Sequence, residues 1–216
     1  MSESTELTPR VLSSMLAYSL SSGSMLIINK MALHTVPLPG LVSVAQFVFA
    51  AVCICLIKIS GAAPVDDFEW SKVRAYLLYV LQFVLGIFTN MKAIQVANIE
   101  TVIVFRACVP IVVCLLESAF LGRQLPNLRS TFSLLIIVLG ACGYVYADKA
   151  FKTQGLAAYS WVSAYTLVCA TQMAYGKYIV GPDMKFQSMW GPTQYTNVLS
   201  VPPMLAIAFM NKEQDK

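Results

Sequence analysis

The stretch IETVIVFRACVPIVVCLLE, from Ile99 to Glu117, is apolar over most of its length, yet carries Arg106 several residues from either end. A run of this kind crosses the hydrocarbon layer as a helix. About 20 residues at 1.5 Å each suffice, and backbone polar groups in lipid must be satisfied within the segment. A guanidinium at that depth costs roughly 2.5–3.5 kcal/mol even on lenient insertion scales, so it faces a water-filled cavity, an acid or an anionic ligand. Arginine never neutralises and presents a planar fork of donors suited to phosphate, which makes a negatively charged passenger the first candidate. Two bland alternatives stand beside it: an ion pair with Glu100 or Glu117, and snorkelling to the interface.

Working outward, hydrophobic residues make up 57% of the 216 and charged residues 12%, with a mean hydropathy of +0.67. An ordinary soluble domain does not tolerate that composition on its surface. The charges collect between seven apolar runs, at 10–33, 39–60, 73–97, 99–121, 128–147, 156–179 and 190–210. Each is too long for a strand, so the fold expected is an all-α polytopic membrane protein with the bilayer as its main partner. Breaker-rich turns separate the runs at 36–40, 63–69, 122–126, 148–152 and 181–185. The join at Asn98 is so tight that spans 3 and 4 are expected to form an antiparallel pair.

Residues 1–9 form a short acidic tail, and the full-length run after it lacks a small-residue cleavage site, so the first span reads as an anchor. Arg10, Lys58, Lys72, Arg74, Arg123, Arg129 and Lys185, with Lys177 near them, fall on the N-terminal side of the membrane. Lys30, Lys92, Lys149 and Lys152 fall on the other before the terminal tail, a bias that favours a cytosolic N-terminus. A net charge of +4 scattered over such loops calls for no nucleic acid.

Cys53, Cys55, Cys108, Cys114, Cys142 and Cys169 all lie in apolar runs and read as small hydrophobes, without a disulfide framework or metal site. A single histidine, His34, leaves no His-based catalytic constellation, so neither catalysis nor a cofactor is expected. Gly23 after Ser22, Gly86, and Gly140 with Gly143 read as close-packing positions between helices.

Spans 1 and 6 share Ala-Tyr-Ser-Leu at 17–20 and Ala-Tyr-Thr-Leu at 164–167, with Lys30 and Lys177 at the same offset of 147 residues. Gly40 and Gly191 open the following spans, each with an amide six residues on, Gln46 and Asn197. If span 6 restarts span 1 after five helices, the two copies run in opposite orientations, the inverted-repeat plan of secondary transporters. The expected organisation is a tail at 1–9, a five-helix repeat at 10–152, two helices of a second repeat at 153–210 and a polar end at 211–216. On this arithmetic a complete carrier has ten spans in about 300 residues. Seven spans alone are then expected to be unstable or dimer-seeking, and inactive.

Polar residues inside the spans are the candidate cavity lining: Asn29, Lys30, Gln46, Glu117 and Lys177. Span 7 adds a cluster at Thr193-Gln-Tyr-Thr-Asn197, and Pro202 and Pro203 are expected to interrupt that helix. Asn197 offers an acceptor and two donors on one planar amide, as reading a nucleobase edge requires. Hydrogen bonding between helices is its structural alternative.

These residues carry a resemblance. The segment from Ser14 to Ser22, with Asn29 and Lys30, is similar to the first helix of nucleotide-sugar transporters of the drug/metabolite transporter superfamily, GDP-mannose type. Phe105 and Arg106 through Glu117 resemble that group's fourth helix. Gln194-Tyr-Thr-Asn197 resembles its FYNN segment, whose amides recognise guanine: Tyr195 and Asn197 agree, while Gln194 and Thr196 depart from it. The resemblance implies a Golgi antiporter exchanging a GDP-sugar for the nucleoside monophosphate. Tyr18, Tyr195, Thr196 and Asn197 would then meet the ligand, and Arg106 would balance the diphosphate charge. The group's GALNK signature has no counterpart within residues 1–216. Alternatives are a phosphate or triose-phosphate translocator of the same superfamily, a seven-span receptor, and a fragment that does not transport.

Overall fold

The computed structural model describes residues 9–122, 126–148, 159–179, 186 and 188–213. Among them the chain forms helices α1 (Pro9–Thr35), α2 (Pro39–Ser60), α3 (Trp70–Val96), α4 (Ile99–Ala107), α5 (Val109–Leu121), α6 (Leu128–Ala147), α7 (Ser160–Ile179) and α8 (Trp190–Met210), and no strand. The seven runs read from the sequence are these helices, with α4 and α5 sharing one run. Five stretches are long and apolar enough to cross a membrane: α1, α2, α3, α4 with α5, and α6. The other two helices, α7 and α8, have 20 and 21 residues. They carry Thr166, Thr171, Gln172 and Lys177 on α7 and Thr193, Gln194, Thr196 and Asn197 on α8. The protein is an all-α polytopic membrane protein.

The helix ends follow local chemistry. Pro39 starts α2, where its missing N–H would be unsatisfied anyway. Gly61, at φ 68°, ends it in the left-handed conformation, its N–H and that of Ala62 returning to the carbonyls of Lys58 and Ile57. The Asn127 side chain caps α6 by accepting from the Ser130 N–H at 2.9 Å.

Helix α3 is the hub. Its Met91, Ala93 and Ile94 pack with Leu26 and Leu33 of α1, Val102 of α4, and Val162 and Tyr165 of α7. Its Tyr76, Val80, Val84 and Phe88 pack with Phe47 of α2 and with Tyr195 and Met204 of α8. The most extensive seams are α3 on α7 and α2 on α8. At Gly40 a Cβ would come within 2.9 Å of Ala208 Cβ and 3.1 Å of its Cα, so the close approach of α2 and α8 favours a glycine there; at Gly86 the nearest atom is the flexible end of Gln172, 2.7 Å away on α7.

Several expectations change. Despite the tight join at Asn98, α3 meets α4 only slightly; α7 lies against both α3 and the α4–α5 run instead. The fourth span breaks at Cys108, between two helices. Pro110 has no N–H and its ring crowds the carbonyl one turn back, which belongs to Arg106. Around the break the bonds tighten to three-residue spacing, Cys108 N–H to Phe105 O and Ile111 N–H to Cys108 O. In α8, by contrast, Pro202 and Pro203 are carried within a continuous helix, whose Ser200, Met204 and Ala208 are buried. Gly23, Gly140 and Gly143 have open space where a Cβ would stand, so the close-packing reading holds for Gly86 and not for them.

Candidate functional site

A cavity of about 580 Å³ opens where α1, α2, α3, α4 and α8 converge. Its polar lining is Tyr18, Ser21, Ser22 and Asn29 from α1, Gln46 from α2, Asn90 from α3, Arg106 from α4 and Asn197 from α8. A second hollow of about 380 Å³ between α1 and α4 shares Tyr18, Ser22 and Arg106 with it. Five residues singled out in the sequence thus meet at one site: Tyr18, Asn29, Gln46, Arg106 and Asn197.

Arg106 stands in the last turn of α4, next to the break. Its side chain is exposed, and among the described residues no carboxylate lies within ion-pair distance. Both expected partners are accounted for otherwise. Glu117 pairs with Lys177 at 2.5 Å, tying α5 to α7, and Glu100, exposed in the first turn of α4, makes no pair with it. The guanidinium thus faces the recess between the helices with no acid against it among the described residues.

Asn197 is half-buried and donates its amide to the Thr193 carbonyl at 2.8 Å. That bond holds the side chain against its own helix and leaves the acceptor oxygen without a protein partner among the described residues. Asn29 is buried, and its Oδ1 accepts from Gln46 Nε2 at 2.8 Å, joining α1 to α2 inside the cavity.

Tyr195, Thr196, Lys30, Glu117 and Lys177 are not among the residues lining this cavity. Tyr195 is fully buried at the end of α8 that meets the α2–α3 loop: its hydroxyl donates to Asp67 O at 2.8 Å and accepts from the Glu69 N–H at 2.7 Å. Its ring stacks on Phe68 with centroids 4.7 Å apart. Thr196 meets the Tyr76 hydroxyl at 3.2 Å. Lys30 donates to the carbonyls of Ile94 at 2.5 Å and Ala97 at 2.8 Å, completing the C-terminal turn of α3, where a cation also suits the helix dipole.

Sequence reasoning missed Asn90, whose Oδ1 is buried without a partner. The signal was there, an amide within the apolar run of span 3, and the rule that intramembrane polar residues mark pathways would have flagged it.

At the opposite ends of the α2–α8 seam the helices are clasped by polar contacts. Glu213 accepts from the N–H groups of Gly40 and Leu41, both at 3.1 Å, at the start of α2. In the α2–α3 loop, Lys58 bonds Asp67 at 2.5 Å and holds that carboxyl below the usual carboxylate range.

The fold and the recess together describe a multispan helical membrane protein with a cation-bearing hollow between its helices. The chain belongs to the Triose-phosphate Transporter family, whose model matches residues 10–210. It is 36% identical to GDP-fucose transporter 1 of Arabidopsis thaliana, over 90% of this chain and 55% of that protein. It is 32% identical to GDP-mannose transporter GONST3 of the same plant, over 84% of this chain and 47% of that protein. With GDP-mannose transporter 2 of Vanderwaltozyma polyspora it shares 25% identity over 90% of this chain and 63% of that protein. The resemblance drawn from the sequence to nucleotide-sugar transporters is borne out. The chain spans about half the length of the two Arabidopsis relatives. All these relatives are transporters, in keeping with a carrier that is not an enzyme.

Proposed function

We propose that the protein serves as a carrier of GDP-sugars, GDP-mannose or GDP-fucose, across the Golgi membrane in exchange for GMP. The observation that carries this reading is the convergence of an unpaired Arg106 with Tyr18 and Asn197 in one cavity. The names of the relatives, GDP-fucose and GDP-mannose transporters, support the passenger class. In this reading Arg106 neutralises the diphosphate through its donor fork, Asn197 reads the base edge, and Tyr18 stacks on or bonds the ligand. Tyr195 and Thr196 act one step back: by tying the start of α8 to the α2–α3 loop and to Tyr76, they fix the direction of Asn197.

The N-terminus lies in the cytosol, following the Lys and Arg bias of the loops. Helices α7 and α8 restart the pattern of α1 and α2 in inverted orientation, and alternating access follows from rocking one repeat against the other. A second copy of the chain is a partner to test for, since α6 has no buried residue.

The family's own description favours a second reading, a small sugar phosphate as passenger. Competition separates the two. With the chain in lipid nanodiscs, bound radiolabelled GDP-mannose is expected to be displaced by GMP and GDP-fucose but not by triose phosphate or inorganic phosphate. The reverse order, or no binding of any nucleotide, would reject the proposal. Exchange of trapped GMP for external GDP-mannose in liposomes then tests antiport, which is expected of a ten-span carrier and not of these seven spans alone.

A further inference from the structure

Asn90 and Asn197 lie at different depths of the cavity. Helices α2 and α8 run antiparallel: Gly40, at the start of α2, faces Ala208 near the end of α8, while the α2–α3 loop meets Tyr195 and Ser188 at the other end. Counting from the Gly40–Ala208 contact, Gln46 lies six residues in and Asn197 eleven. At 1.5 Å per residue this sets them about 7 Å apart along the bundle. On α1, Asn29 is seven residues beyond Ser22, which lines the recess with Arg106, a further interval of about 10 Å. The cavity therefore has an amide tier of Asn29, Gln46 and Asn90, the last placed there because Lys30, next to Asn29, reaches the Ile94 carbonyl one turn past Asn90. Asn197 lies beyond it and Tyr18 further still, with the long Arg106 side chain able to serve the space between.

The amide tier is incompletely bonded. Asn29 and Gln46 share one hydrogen bond, at 2.8 Å, which leaves the Asn29 donors and the Gln46 carbonyl without protein partners among the described residues. The Asn90 carbonyl is buried with none. An unpaired buried acceptor is an uncompensated cost in the empty protein, and turning the Asn90 amide toward the cavity is the available way to relieve it. Three amides on three helices supply alternating donors and acceptors. Alternating donors and acceptors are what vicinal hydroxyl groups require; a phosphate calls for donors alone.

We infer that Asn29, Gln46 and Asn90 form a subsite for the polyhydroxyl sugar ring of the passenger, with Asn90 as its specificity-determining residue. The inference rests on the GDP-sugar reading above and extends it. The base lies at Asn197, the diphosphate lies against Arg106, and the hexose fills the amide tier.

The test is competition binding of GDP-mannose and of GMP, which lacks the sugar, to the full chain in nanodiscs. Replacing Asn90→Leu keeps the side-chain size and removes the amide; GDP-mannose affinity is expected to fall about tenfold, the loss expected for one buried hydrogen bond with its partner left unsatisfied, against less than about twofold for GMP. Gln46→Met is expected to give the same split, and it decides the matter if Asn90→Leu does not insert. Equal losses for the two ligands, or no loss for either, would overturn the subsite. Wild-type protein that binds GMP and GDP-mannose equally well would overturn the subsite while leaving nucleotide binding intact. Wild-type protein that binds neither would remove the functional reading and this inference together.

Discussion

Lys177 and Arg106 are both basic side chains on helices of the bundle, yet one is paired and the other is not. Lys177 meets Glu117 on the neighbouring helix, while Arg106 opens onto a cavity. The same division separates two regions of the molecule. Along the packed seams, several polar groups are occupied, Tyr195 by the α2–α3 loop, Thr196 by Tyr76 and Lys30 by the end of α3, although the Gln82 and Gln194 carbonyls are buried without a partner. Where α1 and α4 border the cavity, Arg106, the Asn90 carbonyl and the acceptor of Asn197 have no protein partner among the described residues. Packing differs as well. The apolar stretch of α3 is 44% buried and that of α1 only 6%. Sequence alone marks a membrane residue as polar; whether it already has a partner, and whether it lines the cavity, separates framework from binding site.

The largest expected effect tests that separation at the cation. Arg106→Gln should weaken GDP-mannose binding by at least about tenfold, since hydrogen bonds to charged groups are worth roughly 1.5–3 kcal/mol each. Arg106→Lys should recover only part of it, because a point charge lacks the fork. Equilibrium binding with normal membrane insertion is the check, and unchanged affinity in Arg106→Gln would make the residue a snorkelling side chain. Next comes Asn197→Ala, expected to cost about 1–3 kcal/mol of GDP-sugar affinity. Undiminished competition by GMP in this variant would sink the base-reading role.

Framework residues should behave in the opposite way. Lys177→Met removes the cation that ties α7 to the buried Glu117 carboxylate, and a loss of about 1 kcal/mol of stability follows, discounted because Lys177 is half exposed. Denaturant unfolding in detergent should register it, with GDP-mannose affinity unchanged. Tyr195→Phe should have the smallest effect, about 1 kcal/mol of stability from the lost hydroxyl contacts to Asp67 and Glu69. A large loss of ligand binding there, without loss of stability, would return Tyr195 to the binding site itself.

The spans were legible because lipid permits few structures: long apolar runs must be helical, and the breaker-rich turns fixed their ends to within a few residues. Tyr18, Arg106 and Asn197 line one cavity, and each stands out in the sequence as an outlier in an apolar run or as part of a resemblance. The packing partners were not. Nothing in the Asn98 join indicates that α7 would lie against both α3 and α4, because that contact is made by residues far apart in the chain, Ile94 and Val102 with Val162 and Tyr165. Proline misled in both directions. Pro110 breaks its helix beside Arg106, whereas Pro202 and Pro203 are carried within α8, whose neighbours Ser200 and Met204 are buried. Tyr195 and Asn197 share one motif but lie two residues apart, about 200° around a helix, so they cannot face the same cavity. Lys30, Glu117 and Lys177 look like cavity residues by depth alone; only the structure reveals the carbonyls and the carboxylate that occupy them.

The most direct test is chemical modification of Arg106. Phenylglyoxal labelling of the reconstituted chain, read residue by residue by mass spectrometry, reports which arginines are reachable. The account predicts that Arg106 reacts in the empty protein and is protected by GDP and GDP-mannose but not by mannose, while Arg74 and Arg129, outside the cavity, react equally in all conditions. Arg106 labelled to the same extent with and without saturating GDP would contradict it.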